Sequence, residues 1–165
     1  MIQLFFKKYA TSLMMLLIIT FSFTACARLD VFEKNTSIPG YQWQYNFQPG
    51  FDFTITDTAS LYNIFIVLRH NDAYRYNNIW LNVGTQFPGD SISKYQRFDL
   101  QLGTDAKGWE GTGMDDIWEL RKPLTSGPAK YFKKPGLYHF TIAQVMRESP
   151  LANVMSVGVR VERVK

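Results

Sequence analysis

Cysteine occurs once in the 165 residues, at Cys26, and histidine only twice, at His70 and His139. A single thiol excludes an intrachain disulfide and any zinc site built on several thiolates. The fold must therefore be held by burial and backbone hydrogen bonding. Between Gly103 and Asp116 lie four glycines, yet no lysine–serine or lysine–threonine pair follows them and no helical pattern begins there. That excludes a phosphate-binding loop. Nowhere do apolar residues recur at helical spacing over three turns. An excess of charge is also lacking. The formal net charge is +4, and without Lys7 and Lys8 the chain carries 16 basic against 14 acidic residues. Such a balance offers no basic footprint for nucleic acid. The densest basic cluster, Lys130, Lys133 and Lys134, reads as a solvated loop. There is no internal repeat and no low-complexity tract.

The apolar run from Leu13 towards Cys26 is too short to span a bilayer, which needs about twenty residues, and Thr20, Ser22 and Thr24 interrupt it. A basic pair, an apolar core and small residues before a cut describe a secretory signal. Ending that core on the chain's one cysteine makes it a lipoprotein signal, with cleavage between Ala25 and Cys26 and palmitate-type diacylation of the Cys26 sulfur. Phe23 departs from the aliphatic residue usual at its position. The alternative reading of this stretch is an uncleaved membrane anchor. The expected organisation is a signal peptide over 1–25, a tether over 26–40 and one folded domain over 41–165. A tether ending at Ile38-Pro39-Gly40 would reach about 45 Å at ~3.3 Å per residue. Two acyl chains hold a protein firmly where one holds it only marginally.

Aromatic and β-branched residues in period two are what the chain has in quantity: 46% of it is hydrophobic and 16% aromatic. Tyr41–Gln48 alternates aromatic and polar, and after Pro49-Gly50 the segment Phe51–Ile55 resumes the alternation; each predicts a half-buried strand. Leu61–Leu68 is almost wholly apolar, as expected of a strand covered on both faces near a sheet centre. Ile79, Leu81 and Val83 share a side, which predicts a hairpin with the preceding strand through a long polar loop. Phe98, Leu100 and Leu102 face inward in the next segment, and the stretch around Trp109 and Ile117–Leu120 predicts a short strand, a bend and another strand. Tyr138, Phe140, Ile142 and Met146 share a face, and Met155, Val157, Val159 and Val161 alternate with polar residues. Seven to nine short strands separated by turns predict an all-β fold: a single antiparallel β-sandwich, with a jelly roll as one variant.

Candidate chemistry is sparse. His139 reads as an exposed or edge residue of its strand. His70 stands in a loop crowded with Arg69, Asp72, Tyr74, Arg75 and Tyr76. Asp72 could orient His70, but no nucleophile motif accompanies the pair, so a hydrolase is the weakest reading. These six residues are instead the expected partner-contact loop, since loops on a rigid scaffold carry function and arginine and tyrosine favour interfaces. Asp115, Asp116 and Glu119 do not match a calcium loop, and no residue set predicts a metal or a cofactor. The alternative is a carbohydrate-binding module, which requires at least two of Trp80, Trp109, Trp118, Tyr74 and Tyr76 exposed and coplanar.

Several segments together carry a family resemblance: the signal ending on Cys26, Leu68–Tyr74 leading into Asn78–Leu81, Gly111–Ile117, Pro135–Arg147, and Val157–Glu162. In order and spacing they resemble the gliding motility lipoprotein GldH family of Bacteroidetes over essentially the whole chain after the signal. The resemblance implies an envelope lipoprotein of gliding motility and the linked secretion apparatus. It implies no catalytic residues and hence no enzyme, and no cofactor. Only the lipidated Cys26 carries over as a functional position. Its expected partners are the membrane, through that lipid, and other gliding or secretion envelope proteins. Ala27-Arg28-Leu29-Asp30 lacks the acidic run associated with surface export, which points to the periplasmic face of the outer membrane.

Overall fold

The computed structural model describes residues 31–164. Its strands are β1 (Val31–Ser37), β2 (Gln42–Trp43), β3 (Gly50–Ile55), β4 (Leu61–Asn71), β5 (Asn78–Gln86), β6 (Lys94–Gln101), β7 (Gly103–Thr104), β8 (Gly108–Trp109), β9 (Thr112–Met114), β10 (Ile117–Pro123), β11 (Gly136–Gln144), β12 (Leu151–Ala152) and β13 (Val154–Val164). Among the described residues the one helical element is a 3-10 turn at Pro39–Tyr41. Five strands form one sheet in the order β1-β13-β4-β10-β9 and four form a second, β3-β11-β5-β6; β2 with β12 and β7 with β8 make short ladders. Every pairing is antiparallel.

The alternation seen in the sequence places the core. On β4, Tyr62, Ile64, Ile66 and Leu68 are buried, joined by Val157, Val159 and Val161 of the neighbouring β13. The second sheet contributes Phe51, Phe53 and Ile55 of β3, Tyr138, Phe140 and Ile142 of β11, and Ile79, Leu81 and Val83 of β5. All belong to one buried cluster, so each sheet's apolar face is covered by the other's. This is the all-β sandwich that the sequence predicts, and β4 lies at the centre of its sheet, but only one of its faces is fully covered: on the other, Asn63 and Phe65 are half-buried and Leu61 and Arg69 exposed.

Three local expectations need correction. Val31–Ser37, assigned to the tether, is a strand paired in register from Val31↔Glu162 to Ser37↔Ser156. Its apolar content is low because it is an edge strand, where β13 supplies the backbone partners. The rest of the expected tether, 26–30, and the expected signal 1–25 lie outside the described residues. The alternating segment Tyr41–Gln48 is not one strand. Only Gln42–Trp43 finds a partner, Leu151–Ala152; beyond it the Trp43 indole N–H donates to the Phe47 carbonyl at 2.8 Å and closes a turn. Trp43 is buried, while Tyr41 and Tyr45 are exposed. Lastly, β4 and β5 do not form a hairpin. They belong to different sheets, so residues 72–77 cross from one layer to the other.

The outer face of the five-stranded sheet is a chain of alternating charges. Glu162 pairs with Arg160, Arg160 with Glu33, Glu33 with Arg121 at 3.8 Å, Arg121 with Glu119 at 3.3 Å, and Glu119 with Arg69 at 2.6 Å. Partial burial pushes the Glu33 carboxyl up, but hydrogen bonds from Arg160 and Asn35 and the Arg121 charge outweigh it, holding the group below its ordinary 4.5. Exposed pairs of this kind add little stability singly. Their consequence is that this face presents arginines already satisfied within the molecule.

Candidate functional site

The crossing between the layers separates the six loop residues rather than gathering them. Strand β4 turns Arg69 outward, onto Glu119, and His70 inward, where it is wholly buried. The His70 Nδ1 lies 2.9 Å from the Asn71 carbonyl; since that oxygen can only accept, Nδ1 carries the hydrogen. Nε2 has no hydrogen-bond partner, and the ring sits edge-on to Trp109 at 4.5 Å. Tyr74 is likewise buried, donating its hydroxyl to the Asn78 carbonyl at 3.0 Å. Burial, with the neighbouring Tyr76 and Glu148, pushes its phenol well above the ordinary range. Asp72 is exposed and accepts a hydrogen bond from the Trp118 indole. Arg75 reaches Glu148 at 3.6 Å, and the Tyr76 hydroxyl bonds the same carboxylate, which pushes the Tyr76 phenol up.

His70 and Tyr74 therefore close the end of the core and are withdrawn from the expected contact set. The His70–Asp72 hydrogen bond of a hydrolase is not made: each group is held by another partner. The sugar platform also lacks its geometry. Tyr74 is buried, Trp109 packs on His70, and Trp118 is half-buried with its indole ring over Gly113. Of the five aromatic residues only Trp80 is exposed; Tyr76, Trp109 and Trp118 are half-buried. His139 points outward with Nδ1 2.6 Å from Asp52, but on the interior strand β11 rather than an edge.

Burial of His70 makes stability pH-dependent. Desolvation outweighs the Asn71 hydrogen bond and the Asp72 charge, and holds the imidazole below its ordinary 6.5. A base whose folded value is depressed favours the fold fully above the unfolded value, and that contribution is lost as pH falls through 6.5 towards the folded value. Denaturation midpoints should drop between pH 7 and pH 5 in the wild type, with a shallower drop in His70→Gln. An equal slope in both would reject the assignment. Asp57 acts in a separate window. Hydrogen bonds from the Ser60 hydroxyl, the Ala59 and Ser60 amides and Arg163 hold its carboxyl at about 2, so its contribution is lost only below the ordinary 3.8.

The residues missed from sequence, Arg97, Met146 and Arg147, gather around Trp80 on the outer face of the four-stranded sheet. Trp80 of β5 points outward and is 38% exposed. Arg97 of β6 lies over its ring, 5.6 Å from the centroid. The chain leaving β11 continues beside β5: the Val145 amide donates to the Trp80 carbonyl at 2.9 Å, and the Trp80 amide to the Met146 sulfur at 3.2 Å. Buried Gln144 fixes that segment. Its Oε1 accepts from the Met146 amide at 2.8 Å, and its Nε2 donates to the carbonyls of Trp43 at 3.2 Å and Glu148 at 2.9 Å. The result is an open cavity of about 440 Å³ walled by Tyr76, Asn78, Trp80, Arg97, Met146 and Arg147. The sequence does hold a signal for it: a tryptophan on the polar side of an otherwise regular Ile79-Trp80-Leu81 alternation.

Fold and surface together define a disulfide-free β-sandwich domain with a rigid tryptophan- and arginine-walled recess on one sheet. A family model described as GldH lipoprotein matches residues 30–161, and the chain belongs to that family. It is 29% identical over 150 residues to the gliding motility lipoprotein GldH homolog of Christiangramia forsetii, covering 86% of this chain and 88% of that one. Against the gliding motility lipoprotein GldH of Flavobacterium johnsoniae the identity is 28% over 150 residues, covering 84% and 88%. Among solved structures, the infectious bursal disease virus VP2 subviral particle matches at 13% identity with a TM-score of 0.37, over 84% of this chain and 33% of that chain. The chain spans about a third of that viral protein, and so weak a likeness carries no argument. As a member of a lipoprotein family the protein is lipid-anchored in the cell envelope. Cys26, the residue expected to bear the lipid, lies outside the described residues.

Proposed function

We propose that this lipoprotein is a non-enzymatic subunit of the gliding motility machinery and its linked secretion apparatus, which docks a partner protein through the Trp80 recess. The observation that carries this is the exposed Trp80, its backbone held by the Gln144-pinned segment beside it and its ring overlain by Arg97. Large side chains held rigid lose little entropy on binding, and tryptophan, tyrosine and arginine dominate interface energetics. Arg75 and Tyr76, from the originally expected loop, form the adjoining rim. Lipid on Cys26 would hold the domain at the periplasmic face of the outer membrane. The five residues 26–30 would then leave at most about 17 Å of chain between anchor and sandwich.

A photoreactive residue placed at position 76 in cells tests this reading. Crosslinks to a gliding or secretion protein are expected from position 76 and not from position 35, on the charge-paired face. Equal labelling from both positions, or none from 76, would reject it.

A further inference from the structure

The charges around the recess are unevenly satisfied. Arg97 and Arg147 line it, and next to the lining residues stand Arg75 and two carboxylates, Asp99 and Glu148. Asp99 accepts from the Asn78 amide at 2.7 Å, and Glu148 is engaged by Arg75 and Tyr76, which leaves the three arginines in excess of the two carboxylates. Arg97 lies over the Trp80 ring, and both it and Arg147 line the cavity; neither forms an ion pair among the described residues. On the opposite sheet the arrangement differs, since Arg69, Arg121 and Arg160 each meet at least one glutamate. Two unpaired guanidinium groups beside one exposed indole form a complementary surface for a carboxylate next to an apolar group.

From this we infer that the recess takes an acidic segment of the partner protein, with a side-chain carboxylate held by Arg97 and Arg147 and a neighbouring apolar side chain lying on Trp80. The inference rests on the docking reading above and specifies its chemistry. Guanidinium forks suit carboxylates because two parallel N–H donors meet two acceptor oxygens. A neutral sugar could stack on Trp80 but would leave both cations uncompensated. Nucleic acid would need a longer basic track than two arginines supply.

The test uses the detergent-solubilised full lipoprotein and two synthetic decapeptides. In one, aspartate and glutamate alternate with phenylalanine and leucine; in the other, asparagine and glutamine replace the acids. Titration calorimetry should show the acidic peptide binding at least about tenfold more tightly than its amide counterpart, with affinity falling as salt rises. Combining Arg97→Gln with Arg147→Gln should abolish that preference, while a thermal melt confirms the fold. Equal binding of the two peptides, an unchanged preference in the double variant, or binding of chitotriose but not of the acidic peptide would each overturn the inference. The position-76 crosslink separates this from the reading beneath it. Crosslinks that persist unchanged in the double variant would leave docking standing and remove its acidic chemistry. Their absence in the wild type would remove both.

Discussion

Phe53→Ala should destabilise the protein by about 3–5 kcal/mol, the range for truncating a buried phenylalanine. Against the 5–15 kcal/mol typical of a whole domain, that is a large share. Phe53 is 5% exposed and touches four other rings. They are Phe32 at 5.1 Å, Phe140 at 5.2 Å, Phe132 at 5.6 Å and Tyr138 at 5.9 Å. Phe32 belongs to the edge strand of the opposite sheet, Tyr138 and Phe140 to the neighbouring strand, and Phe132 to the loop before it. One side chain thus ties both layers and a connection together, and the cavity it leaves could not be refilled from one direction. Urea denaturation should show a lower midpoint with an unchanged slope. Leu137→Ala, on the same sheet but 58% exposed, should stay within about 0.5 kcal/mol of wild type. A Phe53→Ala loss below 1 kcal/mol would contradict the packing described.

How far such features could be read in advance depended on whether local pattern or distant pairing decided them. Period two correctly oriented Phe53, Leu81 and Tyr138, because a strand's two faces follow from the backbone alone. The same rule carries His70 inward, two residues past Leu68, although its neighbours made it look like a loop residue. Tyr41–Gln48 shows the limit. Its alternation is as regular as that of β3, but only Gln42–Trp43 meets another strand, and unpaired backbone turns instead. The crossing after β4 fails for a related reason: two apolar strands with a loop between them look alike whether they pair or face each other. β1 was missed because an edge strand with Glu33, Lys34 and Asn35 in its middle has almost no apolar rhythm. At the candidate site, Trp80 was visible as a misplaced aromatic, whereas Arg97 and Arg147 come to it from segments 17 and 67 residues away. The family resemblance, in contrast, depended on the order of whole segments and matches the family shown for residues 30–161.

Gly158→Val should detach β1 from the sheet. By propensity alone the change favours a strand, since β-branched residues suit β13 and glycine weakens it. The neighbours reverse that expectation. A Cβ at Gly158 would collide with the Lys34 carbonyl oxygen and with Asn35 Oδ1. The Asn35 side chain can rotate away, but the Lys34 carbonyl is backbone within β1 and moves only if the strand moves. Overpacking of this kind costs about 1–3 kcal/mol where the structure yields. Here yielding means losing the ladder from Val31↔Glu162 to Ser37↔Ser156, the Phe32–Phe53 contact and the Glu33 ion pairs. Amide hydrogen exchange should show residues 32–36 unprotected in the variant while β4 keeps its protection; Ser156→Val, in the same outward row, should leave both intact. Unchanged protection over 32–36 would show that β1 tolerates the side chain and refute the steric argument. Release of β1 would free the seven residues Val31–Ser37 from the sheet.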